Sequence, residues 1–439
     1  MSKLKVAFTT LGCKVNQYES EAMASLFRQH QYEIVDFDEQ ADVYVINTCT
    51  VTHLGNKKSR QLIRRANKMN PQAVVAVMGC YAQTAPGEIL DIPGVDIVVG
   101  TRDRNRLVEL VEQVKQEHKQ INAVTDIMQV TEFEELPLVY QTGRSRAFVK
   151  IQEGCNNYCS YCIIPYARGP LRSRSMNSIL AEVKQRAMEG YQEVVLTGIC
   201  IGTYGRDQAN DTSLAKLITE LVQIPELHRL RLGSIEPTDF TPDLLQAIQQ
   251  SPKVCRHLHI PLQNGNDYVL QAMNRKYNTK EYAQLVGYIR YLIPDIAITT
   301  DVIVGFPGET QEHFNRTYSF IAGMEFADLH VFKYSPRQGT KGAAMAEQVA
   351  AEEKEARSHK LISLGKELAK EYAIAYMGEI VEVIVEQAVG NTPGYMEGVA
   401  DNYLRVVFAA TEELKGALAN VRLVEMRDDV LYGEVLSTS

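Results

Sequence analysis

Three cysteines, at positions 155, 159 and 162 in "EGCNNYCSYC", follow directly on the strand-like run "AFVKIQ", and five further runs of that kind succeed it. These are "EVVLTG", "LRLGSI", "HLHIPL", "ITTDVIVG" and "HVFKY", with helical patterns in most of the gaps. Parallel strands need long crossover connections, usually helices, so this alternation restricts the region to a parallel α/β architecture. Six such units predict an open (β/α)6 barrel over residues 147–374. Loops at the carboxyl ends of barrel strands form the active face, and the cysteine triplet lies on the first of them.

Three thiolates are one ligand short of a closed tetrahedral site. A structural zinc takes four protein ligands, and no fourth Cys or His stands close to this C-x3-C-x2-C triplet. Soft thiolates suit iron–sulfur clusters, and a four-iron cluster on three cysteines keeps one iron open for a non-protein ligand. A structural zinc, or cysteines with no ligand at all, is the alternative.

A chain of 439 residues exceeds what one core organises, and two or three domains are expected. In the first hundred residues "KVAFTTLG", "DVYVINTC", "AVVAVMGC" and "DIVVG" alternate with helical patterns, predicting a parallel α/β domain over 1–116. Residues 117–146 are polar and irregular and read as a linker, 352–376 read as a long helix, and the glycine-punctuated strands of 375–439 predict a small β-barrel. The apolar runs are far too short to cross a bilayer, and the N-terminus enters a strand without a signal-peptide pattern, so a cytoplasmic protein with no membrane partner is expected. In that reducing compartment eight cysteines point to metal or catalysis rather than disulfides. Cys13, Cys49 and Cys80 each follow a strand-like run, and in a parallel sheet those ends share one edge. Either three thiols converge there, or three cysteines are buried independently.

Charge is unevenly spread. The net charge is −8, and residues 373–439 hold four Lys/Arg against eleven Asp/Glu, leaving the preceding chain nearly balanced. In "NKKSRQLIRRANK", Lys57, Arg60, Arg64 and Lys68 recur at helical spacing and form one stripe. The stripe is either a contact for a polyanion or a solvated helix face. Arg168, Arg172 and Arg174 are a second candidate cluster, and Arg405 is a candidate within the acidic tail.

The triplet, with Tyr161 before its last cysteine, resembles the radical S-adenosylmethionine (SAM) superfamily. That resemblance implies a [4Fe-4S] cluster whose open iron is chelated by SAM, which on reduction yields methionine and a 5′-deoxyadenosyl radical. It also implies SAM contacts at later strand ends: Thr197 and Gly198 in "LTGICIGTYG", Glu236 in "GSIEP", Gln263, Asn264 and Asn266 in "PLQNGND", and Gly305 in "VGFPGE". Further, "TLGCKVNQYES", "INTCTVT" and "MGCYAQ" are similar to the methylthiotransferase family along essentially the whole chain. This implies a second, auxiliary [4Fe-4S] cluster on Cys13, Cys49 and Cys80, a C-terminal TRAM barrel that recognises RNA, and transfer of CH3–S to a substrate carbon. The opening motif resembles the branch acting on N6-threonylcarbamoyladenosine in the tRNA anticodon stem-loop. The alternatives are isopentenyladenosine in tRNA, a ribosomal-protein aspartate, or a noncatalytic Fe–S RNA-binding protein. The family further implies an electron donor such as flavodoxin or ferredoxin and a sulfur donor that the residues do not identify. Cys200 stands where relatives have Asn or His and Asn264 where they have Ser; Cys200 reads as a packed cysteine or an extra thiol near SAM. Cys255, His257 and His259 alternate on one side of a strand and read as lining of the barrel interior rather than a metal site.

Overall fold

The computed structural model describes residues 3–137, 145–209, 211–390 and 392–438. The chain forms two compact units that alternate along the sequence: Met1–Thr142, Gln152–Arg174 and Ser335–Ala343 make one, and Gly143–Ile151, Ser175–Tyr334 and Ala344–Ser439 the other.

The first unit is built on a six-stranded parallel sheet of β1 (Lys5–Thr10), β2 (Glu33–Val35), β3 (Val43–Thr48), β4 (Val74–Gly79), β5 (Ile97–Val98) and β6 (Ile121–Asn122), in the order β2-β1-β3-β4-β5-β6. β3 and β4 are buried along their whole length and carry continuous apolar runs, as strands covered on both faces do. Val43, Val45, Ala76 and Met78 pack to one side with α1 (Lys14–Gln29), and Tyr44, Ile46, Val75 and Val77 pack to the other with α2 (His53–Met69). The expected linker is partly structured: Ile121–Asn122 extends the sheet, and Glu134 is buried against Arg104. Residues 138–144 of that stretch lie outside the described residues. Sequence reading also placed 152–174 wholly with the barrel, whereas this segment packs with the first unit. Antiparallel pairing of Gln152–Glu153 with Arg172–Ser173 closes it into a loop.

In the second unit the six expected strands are present as β7 (Ala147–Lys150), β8 (Glu193–Thr197), β9 (Arg229–Leu232), β10 (His257–His259), β11 (Ala297–Val304) and β12 (Asp328–Lys333). They form two parallel three-stranded sheets, β7-β8-β9 and β10-β11-β12, joined by the single bridges Leu230–Val254 and Ser234–His259. Among the described residues no pairing joins β12 back to β7, so the barrel is open. Val149, Val194, Leu196, Leu230, Leu258 and Ile298 point outward into the apolar core under the helices. The alternate residues line the inner face, and many of them are polar. A 24-residue helix, Ala351–Ile374, leads to a closed five-stranded barrel of β13 (Ile380–Ala388), β14 (Tyr395–Ala400), β15 (Arg405–Ala409), β16 (Leu418–Arg427) and β17 (Val430–Thr438).

Candidate active site

Register brings the N-terminal cysteines together. Thr10 stands beside Asn47, and Thr48 beside Gly79, on adjacent strands, so the chain leaves β1, β3 and β4 at the same edge. Cys13 then opens α1, Cys49 follows β3 directly, and Cys80 opens α3 (Cys80–Thr84). Gly12 has φ +108°, which other residues rarely adopt, and a Cβ built there would stand 3.2 Å from the Cys49 sulfur, so glycine suits the turn beside that thiol. Burial pushes the Cys49 thiol up and the Cys80 thiol up to about 12. Both cysteines therefore hold their protons until something displaces them, as metal binding does.

Arg168 ties the set together from the segment that follows the second triplet. Its Nε donates to Cys80 Sγ at 3.3 Å, and Nη2 donates to Asn16 Oδ1 at 2.5 Å, the atom that also accepts from the Cys13 thiol at 3.8 Å. Glu19 and Glu153 neutralise the guanidinium, and both carboxylates also pair with the buried Arg104. This overturns the expectation that Arg168, Arg172 and Arg174 offer charge to RNA. All three are buried; Arg172 donates to the carbonyls of Pro170 and Arg168, and Arg174 pairs with Glu135 at 2.8 Å. Their charges are used inside the fold. Asn16 and Glu19, on the buried face of α1 three residues apart, were missed by sequence reading; polar residues on an otherwise core-facing stripe just past Cys13 are the signal that would have found them.

Cys155, Cys159 and Cys162 are half-buried, in a loop where the Cys162 amide donates to the Cys159 carbonyl at 2.9 Å and the Cys155 amide to the Gly169 carbonyl at 3.1 Å. Tyr161 is half-buried beside them in the chain. The Asn157 amide points at Cys155 Sγ at 3.5 Å, a donor for a charged sulfur. Each set offers three cysteine thiols, the soft donors that suit an iron–sulfur cluster with one iron left open.

The second unit places the other candidates at strand ends. Thr197 is buried at the end of β8, with Gly198 next to it. Glu236 follows β9 and is paired with Arg275, while burial raises its carboxyl. Gln263 holds φ +67°, and its Oε1 is buried with no hydrogen-bond partner, leaving an acceptor for a ligand. Asn264 is different, and its expected SAM contact is corrected. Its amide donates to Glu309 at 3.0 Å and to the Ile303 carbonyl at 3.3 Å, and its oxygen accepts from Thr317 at 2.8 Å and the Asn266 amide at 3.0 Å. The side chain has no capacity left for a cofactor. Gly305 likewise donates its amide to Glu309 at 3.0 Å, and at φ +72° a Cβ there would strike Lys354. Glycine there leaves room for the Lys354 side chain.

Deeper on the inner face, Glu193 accepts from Arg231 at 2.6 and 3.0 Å, and Arg231 in turn donates to the carbonyls of Ala400 and Asp401 beside the C-terminal barrel. Cys255 points its thiol at Glu193, and His257 stacks on Tyr403 with ring centroids 4.2 Å apart. Cys200 is buried with its thiol on Asp239. These are interior roles. His259 joins a group that strand alternation alone did not indicate: its Nε2 and His330 Nδ1 each lie 3.2 Å from Asp301 Oδ1, on three adjacent strands. Although burial pushes the Asp301 carboxyl up, these two hydrogen bonds hold it well below the usual carboxylate range.

Of the basic stripe on α2, Lys57, Arg64 and Lys68 are exposed, whereas Arg60 is half-buried and donates to the Tyr81 hydroxyl at 2.9 Å. Arg405 is paired with Glu397 at 2.9 Å. Among the described residues no helix is long and apolar enough to cross a membrane.

Residues 5–100 match a family described as uncharacterized protein family UPF0004, and residues 149–321 match the radical SAM superfamily. The chain is 48% identical to the threonylcarbamoyladenosine tRNA methylthiotransferase MtaB of Bacillus subtilis, across 96% of this chain and 94% of that one. It is 36% identical to the tRNA-2-methylthio-N(6)-dimethylallyladenosine synthase of Moorella thermoacetica, across 97% of each. In fold it is similar to the radical S-adenosylmethionine methyltransferase TsrM of Kitasatospora setae, with a TM-score of 0.58 over 90% of this chain and 77% of that one at 14% identity. Similarity to methylthiotransferases over nearly the full length, together with the three-cysteine motif after the first barrel strand, means that the chain belongs to the radical SAM methylthiotransferase family, whose enzymes use a [4Fe-4S] cluster and SAM.

Proposed function

We propose that this chain transfers a methylthio group to C2 of N6-threonylcarbamoyladenosine beside the anticodon of tRNA. Cys155, Cys159 and Cys162 hold the cluster that binds SAM, and Cys13, Cys49 and Cys80 hold a second [4Fe-4S] cluster. The observation that carries this reading is the meeting of Cys13, Cys49 and Cys80 at one sheet edge, in a chain that already has a separate triplet. Methylthiolation needs both a radical and a sulfur source, and one three-thiol site supplies only the first. The clusters and SAM supply the radical and carry the sulfur; the chain orients them and shields the reaction from water. The substrate assignment follows the Bacillus subtilis relative, at 48% identity. The exposed Lys57, Arg64 and Lys68 are the tRNA phosphate contacts in this reading, the reductant is a flavodoxin or ferredoxin, and the enzyme works in the cytoplasm.

Mass spectrometry of tRNA nucleosides from a strain lacking the protein tests it. Loss of 2-methylthio-N6-threonylcarbamoyladenosine, accumulation of its precursor, and restoration by the wild type but not by Cys159→Ala are expected. The relatives named for dimethylallyladenosine give the competing substrate, and loss of the methylthio group from isopentenyladenosine instead would select it.

A further inference from the structure

Arg337 belongs to the segment Ser335–Ala343 of the first unit and is 7% exposed. Its Nη2 donates to Thr50 Oγ1 at 2.7 Å, which anchors the guanidinium to the residue next to Cys49. Its Nε and Nη1 are buried without a hydrogen-bond partner. Arg168, at the same cysteines, makes the contrast plain: Glu19 and Glu153 neutralise it. Among the described residues Arg337 has no such carboxylate. Of the groups that could attract it when ionised, burial keeps the Cys49 thiol and the Tyr81 hydroxyl protonated, and Glu88 already accepts from the Tyr81 hydroxyl at 2.6 Å. A guanidinium cannot shed its charge in a protein, and a buried charge with idle donors is strongly unfavourable unless an anion meets it.

We infer that Arg337 is the counter-cation of the Cys13, Cys49 and Cys80 site, with its Nε–H and Nη1–H reserved for anionic sulfur held there: the thiolate-ligated cluster and a small sulfur anion such as hydrosulfide brought to it. This rests on the second-cluster reading and goes beyond it by naming the residue that lets the site accept negative sulfur. Three thiolates around a four-iron core leave the site net negative. A further sulfur anion then meets repulsion in a low-dielectric setting unless a fixed positive charge offsets it. Hydrogen bonds to cluster sulfur also raise the reduction potential, so the same residue acts on both binding and potential.

The test uses the full chain with Cys155, Cys159 and Cys162 all changed to Ala, so that only the N-terminal site takes iron. After anaerobic reconstitution, iron per chain, the midpoint potential by EPR, and the EPR change on titration with sodium sulfide are measured. With Arg337→Gln added, iron is retained, about tenfold more sulfide is needed, and the midpoint moves lower; Arg337→Lys recovers most of the potential. Sulfide response and midpoint unchanged in the Gln variant overturn the proposal. Loss of iron in the Gln variant with retention in the Lys variant supports it, because charge is then what the site requires. Loss in both assigns Arg337 a packing role and overturns it. A triplet-free parent that takes up no iron would sink the second-cluster reading itself, a result distinct from an iron-bearing parent that is insensitive at position 337.

Discussion

The two cysteine sets reach three thiols by opposite routes. Cys155, Cys159 and Cys162 lie in one short loop, half-buried, with the Asn157 backbone amide directed at the Cys155 sulfur. Cys13, Cys49 and Cys80 come from three strand ends and grade from exposed to buried, with Arg168 on one thiol and Arg337 anchored beside another. A local loop can move to admit a cofactor, whereas thiols fixed by sheet register cannot, and they need their charge balanced by residues already in place. Fixed cations therefore gather at the dispersed set.

The sharpest way to break the comparison is to remove one thiol from each set. Both Cys159→Ala and Cys13→Ala should abolish the methylthiolated nucleoside, but only Cys159→Ala should abolish formation of 5′-deoxyadenosine from SAM under reducing conditions. Equal loss of SAM cleavage in both would show that the sets do not divide the labour.

Next in size is Arg168→Met. Removing one partner from this buried ion network leaves Glu19 and Glu153 to share Arg104, and breaking such a network costs about 3–5 kcal/mol. Arg174→Met should cost less, because its partner Glu135 is half-exposed and can turn to solvent. Denaturant unfolding of the two variants compares them. Similar losses would mean that the charge around the dispersed set is not specially demanding.

The second unit has a buried ion network of its own. Burial pushes the Glu193 carboxyl up, but Arg231, Arg146 and Arg229 outweigh it and bring it down to about 2. A carboxylate lowered on folding stabilises the protein above its unfolded pKa of about 4.3, and that contribution fades as pH falls toward 2. Its size at neutral pH is about 3 kcal/mol. Glu193→Gln should therefore be less stable than wild type at pH 7, with the gap narrowing between pH 5 and 3 in unfolding titrations. A gap constant with pH would show that Arg231 does not depend on that charge.

Much of this architecture was legible because it is written locally. The six barrel strands, the long helix and the triplet each announce themselves within a dozen residues. Cys13, Cys49 and Cys80 were legible only through a topological rule, that parallel strands end together. The burial of Arg168 was not legible: three arginines after a cysteine loop look the same in sequence whether they face solvent or Glu19, which is 149 residues away in the chain. Asn264 failed for the same reason, since Thr317 and Glu309 consume a side chain that local pattern places at the cofactor. His259, Asp301 and His330 meet only through the register of three strands, which no single run specifies. Contacts that close charge at long range are fixed by tertiary packing, and short-range pattern does not carry them.

The smallest effect concerns the basic stripe of α2, which begins a few residues beyond Cys49. Lys57, Arg64 and Lys68 are exposed, while Arg60 spends its guanidinium on Tyr81. Every phosphate that the protein no longer neutralises lowers the slope of log affinity against log salt by about 0.7–0.9. Changing the three exposed residues to Ser should thus reduce the slope for tRNA by about 2–3 and leave folding intact, because surface charges away from partners contribute little to stability. Adding Arg60→Ser should lower stability without lowering the slope further. If the slope instead falls again with Arg60, the side chain leaves Tyr81 to meet RNA; if it never falls, the stripe is a solvated face, and RNA is held elsewhere on the chain.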